Sequence, residues 1–253
     1  LNSLFKNILL TKNYLLTDII HLSFLENSGF TLSDLNAKII LDSTKINVAQ
    51  LNISTTNSSI NSNNLDYFLK VDSSKNTSIG YSVKGFSSNL SSRDINYFTE
   101  TPIASNSTFQ INSDFSGDFN HFNAKKIKFN FGNKSVINGD LEISDFSDIN
   151  FKVLIQNSQV FKNDIESFKF YDDNNQLKSV VIPSNFKKLD QLNFDFFSEG
   201  NMMKSKSSFD FESNLGNISG DFNLHVKDSN NVFYELTINA NNLSGALVSN
   251  DIQ

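Results

Sequence analysis

The chain has 253 residues, no cysteine and a formal net charge of −6, so a disulfide framework, a thiolate nucleophile and a cysteine metal site are all excluded. A single arginine, Arg93, among scattered lysines argues against a nucleic-acid partner, which would want clustered cations. With 25 Phe, 6 Tyr, no Trp and only 2 Pro, the composition also argues against linker-like disorder and collagen-like sequence.

Period-two alternation of apolar and polar residues dominates from about residue 30 onward and predicts strands with one dry and one wet face. Residues from about 12 to 90 hold about five such runs, for example Leu65, Tyr67, Leu69 and Val71. A short helical turn is predicted at 92–98, with Pro102 shortly after. Next come Phe115 to Phe119, then Ile127, Phe129 and Phe131, then a turn at Gly132-Asn133-Lys134. Phe151, Val153 and Ile155 form another run, followed by a second helical turn at 183–189. Leu192, Phe194 and Phe196, then Phe222, Leu224 and Val226, complete the series. Polar clusters at 72–76, 172–175 and 228–231 read as further turns.

The pentapeptide SGDFN occurs at Ser116 to Asn120 and at Ser219 to Asn223, with NGDL at Asn138 to Leu141. Gly117, Gly139 and Gly220 share the apolar parity of their runs, where a missing side chain would let a sheet bend. The likeness of the flanking segments predicts an internal repeat. The expected fold is all-β: an elongated, strongly curved antiparallel sheet of repeats of about five strands, with short helical turns between them. Residues 1–90 form the first groove repeat, 91–190 the second and 191–253 a third, incomplete one, within one continuous domain.

No single repeat carries a second sheet or long helix to cover its dry face, which predicts an open apolar trough. Its lining would comprise Phe115, Phe119, Phe129, Phe131, Leu141, Ile143, Phe151, Val153, Ile155, Phe194, Phe196, Phe209, Phe211, Phe222 and Leu224, with Gly117, Gly139 and Gly220 supplying curvature. The structural alternatives are a β-solenoid with a closed dry core, secreted or at a cell surface, and an enzyme on a β scaffold.

Leu22 to Ala37, followed by Leu51 to Ser58, resembles the TamB proteins of the AsmA-like family of diderm bacteria. So does Arg93-Asp94-Ile95-Asn96-Tyr97-Phe98 leading into the F-x-I-x-x-x-F-S-G strand at Phe109 to Gly117. The resemblance implies a segment of a periplasmic protein anchored in the inner membrane, with a folded-over apolar groove. It further implies phospholipid acyl chains as cargo, a role in outer-membrane biogenesis, and an outer-membrane barrel protein of the assembly machinery as partner. The chain begins at Leu1 and reads as a fragment; with no apolar run of about 18 residues, this segment is not expected to span a membrane.

Chemical sites find little support. His21, His121 and His225 lie far apart with no acid at metal spacing, and Asp172-Asp173-Asn174-Asn175 lacks the remaining ligands of a calcium loop. Asp145 and Asp148 flank a turn and suit capping of backbone amides, while Lys125-Lys126 and Lys187-Lys188 read as solvated edges. The expectation is no enzyme, no metal and no cofactor.

Overall fold

The structure, a computed structural model, describes residues 1–71, 77–99, 103–104, 107–172, 175–228 and 231–244. Fourteen strands form one open antiparallel sheet in chain order. The first six are Asn2–Thr11 (β1), Tyr14–Leu25 (β2), Thr31–Asp42 (β3), Lys45–Thr55 (β4), Ser59–Val71 (β5) and Thr77–Ser91 (β6). After a four-residue helix, Ser92–Ile95 (α1), come Thr108–Gly117 (β7), His121–Phe131 (β8), Ser135–Ser144 (β9) and Asn150–Phe161 (β10). A second helix, Lys162–Ser167 (α2), leads into a two-stranded ribbon, Lys169–Tyr171 (β11) and Leu177–Ser179 (β12), and a 3-10 turn at Ser184–Phe186. The main sheet resumes with Gln191–Asn201 (β13), Lys204–Ser213 (β14), Gly216–Asp228 (β15) and Asn231–Asn241 (β16), β13 pairing directly with β10.

Among the described residues, the strands within each run are joined by short polar turns, and side chains cap backbone amides in several of them. Asp42 Oδ1 accepts from the amides of Thr44 and Lys45, both at 2.8 Å, and Asn201 Oδ1 accepts from Met203 and Lys204 at 3.0 and 2.8 Å. Such turns force neighbours in sequence to be neighbours in the sheet. The accessible surface, 16359 Å², exceeds the roughly 11,000 Å² expected of a compact monomer of this mass. Among the described residues, the buried apolar side chains are Leu32, Ala37, Phe109, Ala124 and Leu215, too few for a packed interior.

The alternating runs read from the sequence fall in β5, β8, β10, β13 and β15, and the two helical turns fall at α1 and at the 3-10 turn. Three features differ. The five runs expected between about residues 12 and 90 correspond to β2 to β6, but β1 before them was not anticipated, because a bulge at Asn7, with φ 54, breaks its alternation. The helix α2 has no counterpart in the sequence reading: its N-cap, Phe161, makes no side-chain capping bond, so no start signal marks it. The run Phe115 to Phe119 ends early, since Asp118 opens a turn in which its amide donates to the His121 carbonyl at 2.9 Å and its carboxylate accepts from the Asn120 amide at 2.9 Å. The turns expected at 72–76, 173–174 and 229–230, and Pro102, lie outside the described residues.

Candidate functional site

Pairing registers fix which side chains share a face, because residues directly opposite one another in an antiparallel ladder point the same way. One row runs from β6 to β16 through Tyr81, Gly117, Phe122, Ile143, Phe151, Gly200, Ser205, Leu224 and Tyr234. The next runs through Phe115, Ala124, Leu141, Val153, Ser198, Ser207 and Phe222. A third joins Ile155, Phe196, Phe209 and Gly220, and beside it lie Phe194 and Phe211. Phe129 and Phe131 face Ile137 and Ser135 on the same side. Every predicted lining residue except Phe119 therefore stands on one face. Phe119 sits in the β7–β8 turn, 74% exposed, and does not line that face.

The other predicted lining residues are all half-buried, while in the same rows Ala124, Ser135, Ser198 and Gly220 are buried and Tyr234 at the edge is exposed. Their ring contacts run along the sheet rather than against an opposing wall: Phe194 meets Phe211 at 6.2 Å, Phe209 meets Phe211 at 5.1 Å and Phe115 meets Phe122 at 6.0 Å between centroids. Only near α1 and α2 do rings from crossing segments dock, Phe30 with Tyr97 and Phe98, and Phe109 with Phe168. An open hollow of about 760 Å³ touches Phe151, Leu224 and Tyr234. The opposite face carries polar ladders such as Lys152–Glu199–Lys206, with Nζ–O distances of 3.4 and 2.7 Å.

Gly117, Gly139 and Gly220 stand on the apolar face as expected, but their local requirement is close approach between strands. A Cβ at these positions would fall on the carbonyl oxygens of His121, Leu154 and Thr237 respectively. Bends of another kind were not anticipated. Gly85, Lys126 and Asn157 have positive φ (61, 54 and 50) at bulges in β6, β8 and β10. Each donates its amide to an aspartate on the following sheet strand: Gly85 to Asp114 at 2.8 Å, Lys126 to Asp140 at 2.8 Å and Asn157 to Asp195 at 2.6 Å. On the apolar side a serine hydroxyl takes up the carbonyl preceding each bulge. Ser62 donates to Lys84 and Ser113 to Lys125, at 3.1 and 2.9 Å, and Ser158 donates to Gln156 at 3.4 Å. The serine stands on the strand before the bulged one in the first two cases and on the bulged strand itself in the third, while the acid always stands on the strand after the bulge.

Two carboxylates hold the helices. Asp164 of α2, 4% exposed, accepts from the amides of Asn133, Lys134 and Ser135 at 2.8, 3.0 and 2.9 Å and from the Ser135 hydroxyl at 2.7 Å. Burial works against its charge, yet the Asn133 amide, the Ser135 hydroxyl and the remaining amides outweigh it and hold the carboxyl below its usual range. Asp94 of α1 accepts from Thr55 Oγ1 and from Asn57 Nδ2, the latter at 3.2 Å. Burial opposes its charge too, and the Ser58, Thr55 and Asn57 hydrogen bonds prevail, lowering it. Each helix thus reaches back to the hairpin turn formed by the two strands before the one it follows. The correspondence extends further: the Ser91 amide donates to Ser58 Oγ and the Phe161 amide to Ser135 Oγ, both at 2.9 Å. The recurring unit is therefore four strands and a helix (β3–β6 with α1, β7–β10 with α2), shorter than the five strands expected.

The histidines remain apart. His21 pairs with Asp34 at 2.6 Å, His121 with Asp118 at 3.1 Å, and His225 lies beside the Phe233 ring. Among the described residues no group of three or more His, Cys, Asp or Glu could hold a metal ion, and no helix is long and apolar enough to cross a membrane. Asp172 pairs with Lys178 at 3.4 Å, while Asp145 accepts from Ser147 at 2.6 Å within its turn. Lys125 pairs with Asp140 at 3.4 Å, and the Lys187 and Lys188 carbonyls accept from Lys162 and Asn214. No protein family, curated protein or solved structure matches the chain.

Proposed function

We propose that the apolar face is the wall of a groove that shelters phospholipid acyl chains, and that the chain is a segment of a periplasmic bridge-like protein of the TamB and AsmA-like kind. The observation that carries this reading is the half-exposed state of the predicted lining residues other than Phe119, which offer hydrocarbon surface to a ligand, although Phe168 covers the same face at Phe109. Burying one acyl methylene there is worth about 0.8 kcal/mol, close to what it loses on leaving a bilayer, so chains can slide with little net change. Curvature follows in this reading from the paired bulges and the close-approach glycines, which bend the sheet toward its apolar side. A groove segment of this kind shields phospholipid acyl chains between the inner and outer membranes, and an outer-membrane barrel protein of the assembly machinery is the partner this reading suggests. The competing reading, a secreted protein with a closed dry core, accords poorly with five buried apolar residues among those described.

The test is mass spectrometry of lipid extracted from the purified chain. Wild type is expected to carry phospholipid, and Phe151→Asp and Phe194→Asp to lose most of it while keeping the far-ultraviolet dichroism of the wild type. A lipid-free chain that also fails to take up a fluorescent fatty acid would overturn the proposal.

A further inference from the structure

The register pairing of β2 with β3 is broken in the middle: it stops at Ile19 with Ala37 and resumes at Phe24 with Leu32. Two extra residues frame the gap, Ile20 in β2 against β1 and Ser33 in β3 against β4. A bulge of one residue turns the side chains beyond it to the other face. Ile19 shares the parity of Thr17, whose partner Ile39 belongs to the apolar row through Val48, Leu65, Val83 and Phe115. Beyond Ile20, His21 and Ser23 therefore stand on the polar face, with Asp34 and Asn36 of β3.

There the side chains join end to end. Asp34 Oδ1 lies 2.6 Å from His21 Nδ1, and His21 Nε2 lies 3.0 Å from Ser23 Oγ. The other carboxylate oxygen, Asp34 Oδ2, accepts from Asn36 Nδ2 at 3.0 Å, and Asn36 Oδ1 in turn accepts from Asn52 Nδ2 at 2.8 Å, which fixes the far end of the chain. A carboxylate only accepts, so Nδ1 carries the hydrogen and Nε2 turns its lone pair to the Ser23 hydroxyl. Hydroxyl, imidazole and carboxylate thus stand in the order and contact that activate a serine nucleophile. The His21 and Asp34 side chains are 35 and 39% exposed, so substrate and water reach them. An open hollow of about 790 Å³ begins beside them at Ile20 and Asn36 and continues past Lys38, Gln50, Asn52 and Asn61.

We infer that Ser23, His21 and Asp34 form an acyl-transfer site for short-chain carboxylic esters. The Ser23 oxygen attacks the ester carbonyl carbon while its proton passes to His21 Nε2. The C–O bond to the alcohol then breaks, and the departing alkoxide takes the proton. Water repeats the sequence on acyl-Ser23, which releases the carboxylic acid and restores the hydroxyl. Asp34 is a positioning residue that holds the imidazole tautomer and stabilises the imidazolium. An ester asks least beyond a nucleophile and a proton carrier, because an alkoxide leaves more readily than the nitrogen of an amide. The side chains around the hollow are mostly polar, so a long acyl chain gains little burial there, which limits the substrate to short ones. The site stands on the face opposite the proposed groove, and neither reading depends on the other.

A fluorophosphonate probe, followed by digestion and mass spectrometry of the 253-residue chain, is expected to label Ser23 at least about tenfold faster than any other serine, fluoride leaving as the Oγ–P bond forms. That comparison is made within one molecule and needs no variant to fold. His21→Gln should slow the labelling of Ser23 about a hundredfold. Asp34→Asn should lower the limiting rate about tenfold or more while leaving the half-saturating probe concentration unchanged, and Asp34→Glu should recover part of the rate. The wild-type chain should hydrolyse p-nitrophenyl acetate faster than Ser23→Ala, and faster than it hydrolyses the decanoate. Ser23 labelling no faster than its fellow serines overturns the inference. So do equal acetate hydrolysis by wild type and Ser23→Ala, a preference for the decanoate, or an Asp34→Asn chain that labels at the wild-type rate.

Discussion

The Asp94 and Asp164 clasps occupy matching places in two successive four-strand units, yet they grip their hairpin turns differently. Asp164 enters the 132–135 turn and takes three backbone amides and a hydroxyl, whereas Asp94 meets the 55–58 turn mainly through the Thr55, Asn57 and Ser58 side chains. Gly132 accounts for the difference. Its φ of 62 is left-handed, and a Cβ there would fall on the Asp164 carboxyl carbon, so only glycine lets the amides converge on the carboxylate. The first turn has no glycine, and side chains do the work instead. A backbone grip leaves more groups stranded when the acid is removed, which makes the two clasps unequal in a measurable way.

The strongest way to expose that inequality is Asp164→Ala, which leaves three turn amides and the buried Ser135 hydroxyl without their acceptor and should cost about 2–4 kcal/mol in chemical denaturation. Gly132→Ala should come next, at about 1–3 kcal/mol from left-handed strain and displacement of the carboxylate. In the Asp164→Ala background the same change should cost clearly less, since the clash is gone; full additivity would refute the coupling. Asp94→Ala should cost about 1–2 kcal/mol, as Thr55, Asn57 and Ser58 can turn to water. If Asp94→Ala proved the more damaging of the two, the account of the grips would fail.

Acid should act in the same order. Both carboxyls are held below their usual range, so the stability they contribute is intact above the unfolded value, about 3.9, and is lost as the pH falls through the lower folded values. Denaturation midpoints measured from neutral pH downward should therefore fall below about pH 4 in wild type, less steeply in Asp94→Ala, and least in Asp164→Ala.

Much of the sheet was legible because its signals are local. Alternation placed β5, β8, β10, β13 and β15, and the parity of Phe151, Phe194 and Leu224 put them on the face where they stand. What escaped depends on partners distant in sequence. The same pentapeptide SGDFN lies within β15 at its second occurrence but runs off the end of β7 at its first, because Asp118 there closes a turn onto His121. Lys126 carries no sign of left-handed backbone in its own identity; its conformation follows from Asp140 on the next strand. The clasps were invisible for the same reason, since Asp164 looks like any acid in a short polar run until the 132–135 turn is folded beneath it.

The backward reach of each clasp also governs how a sheet like this can grow. An insertion or loss of one hairpin would carry a helix away from its turn and leave an enclosed carboxylate with nothing to bind. Lengthening is therefore quantised: viable changes of size come as complete modules that bring both the acid and the turn it holds.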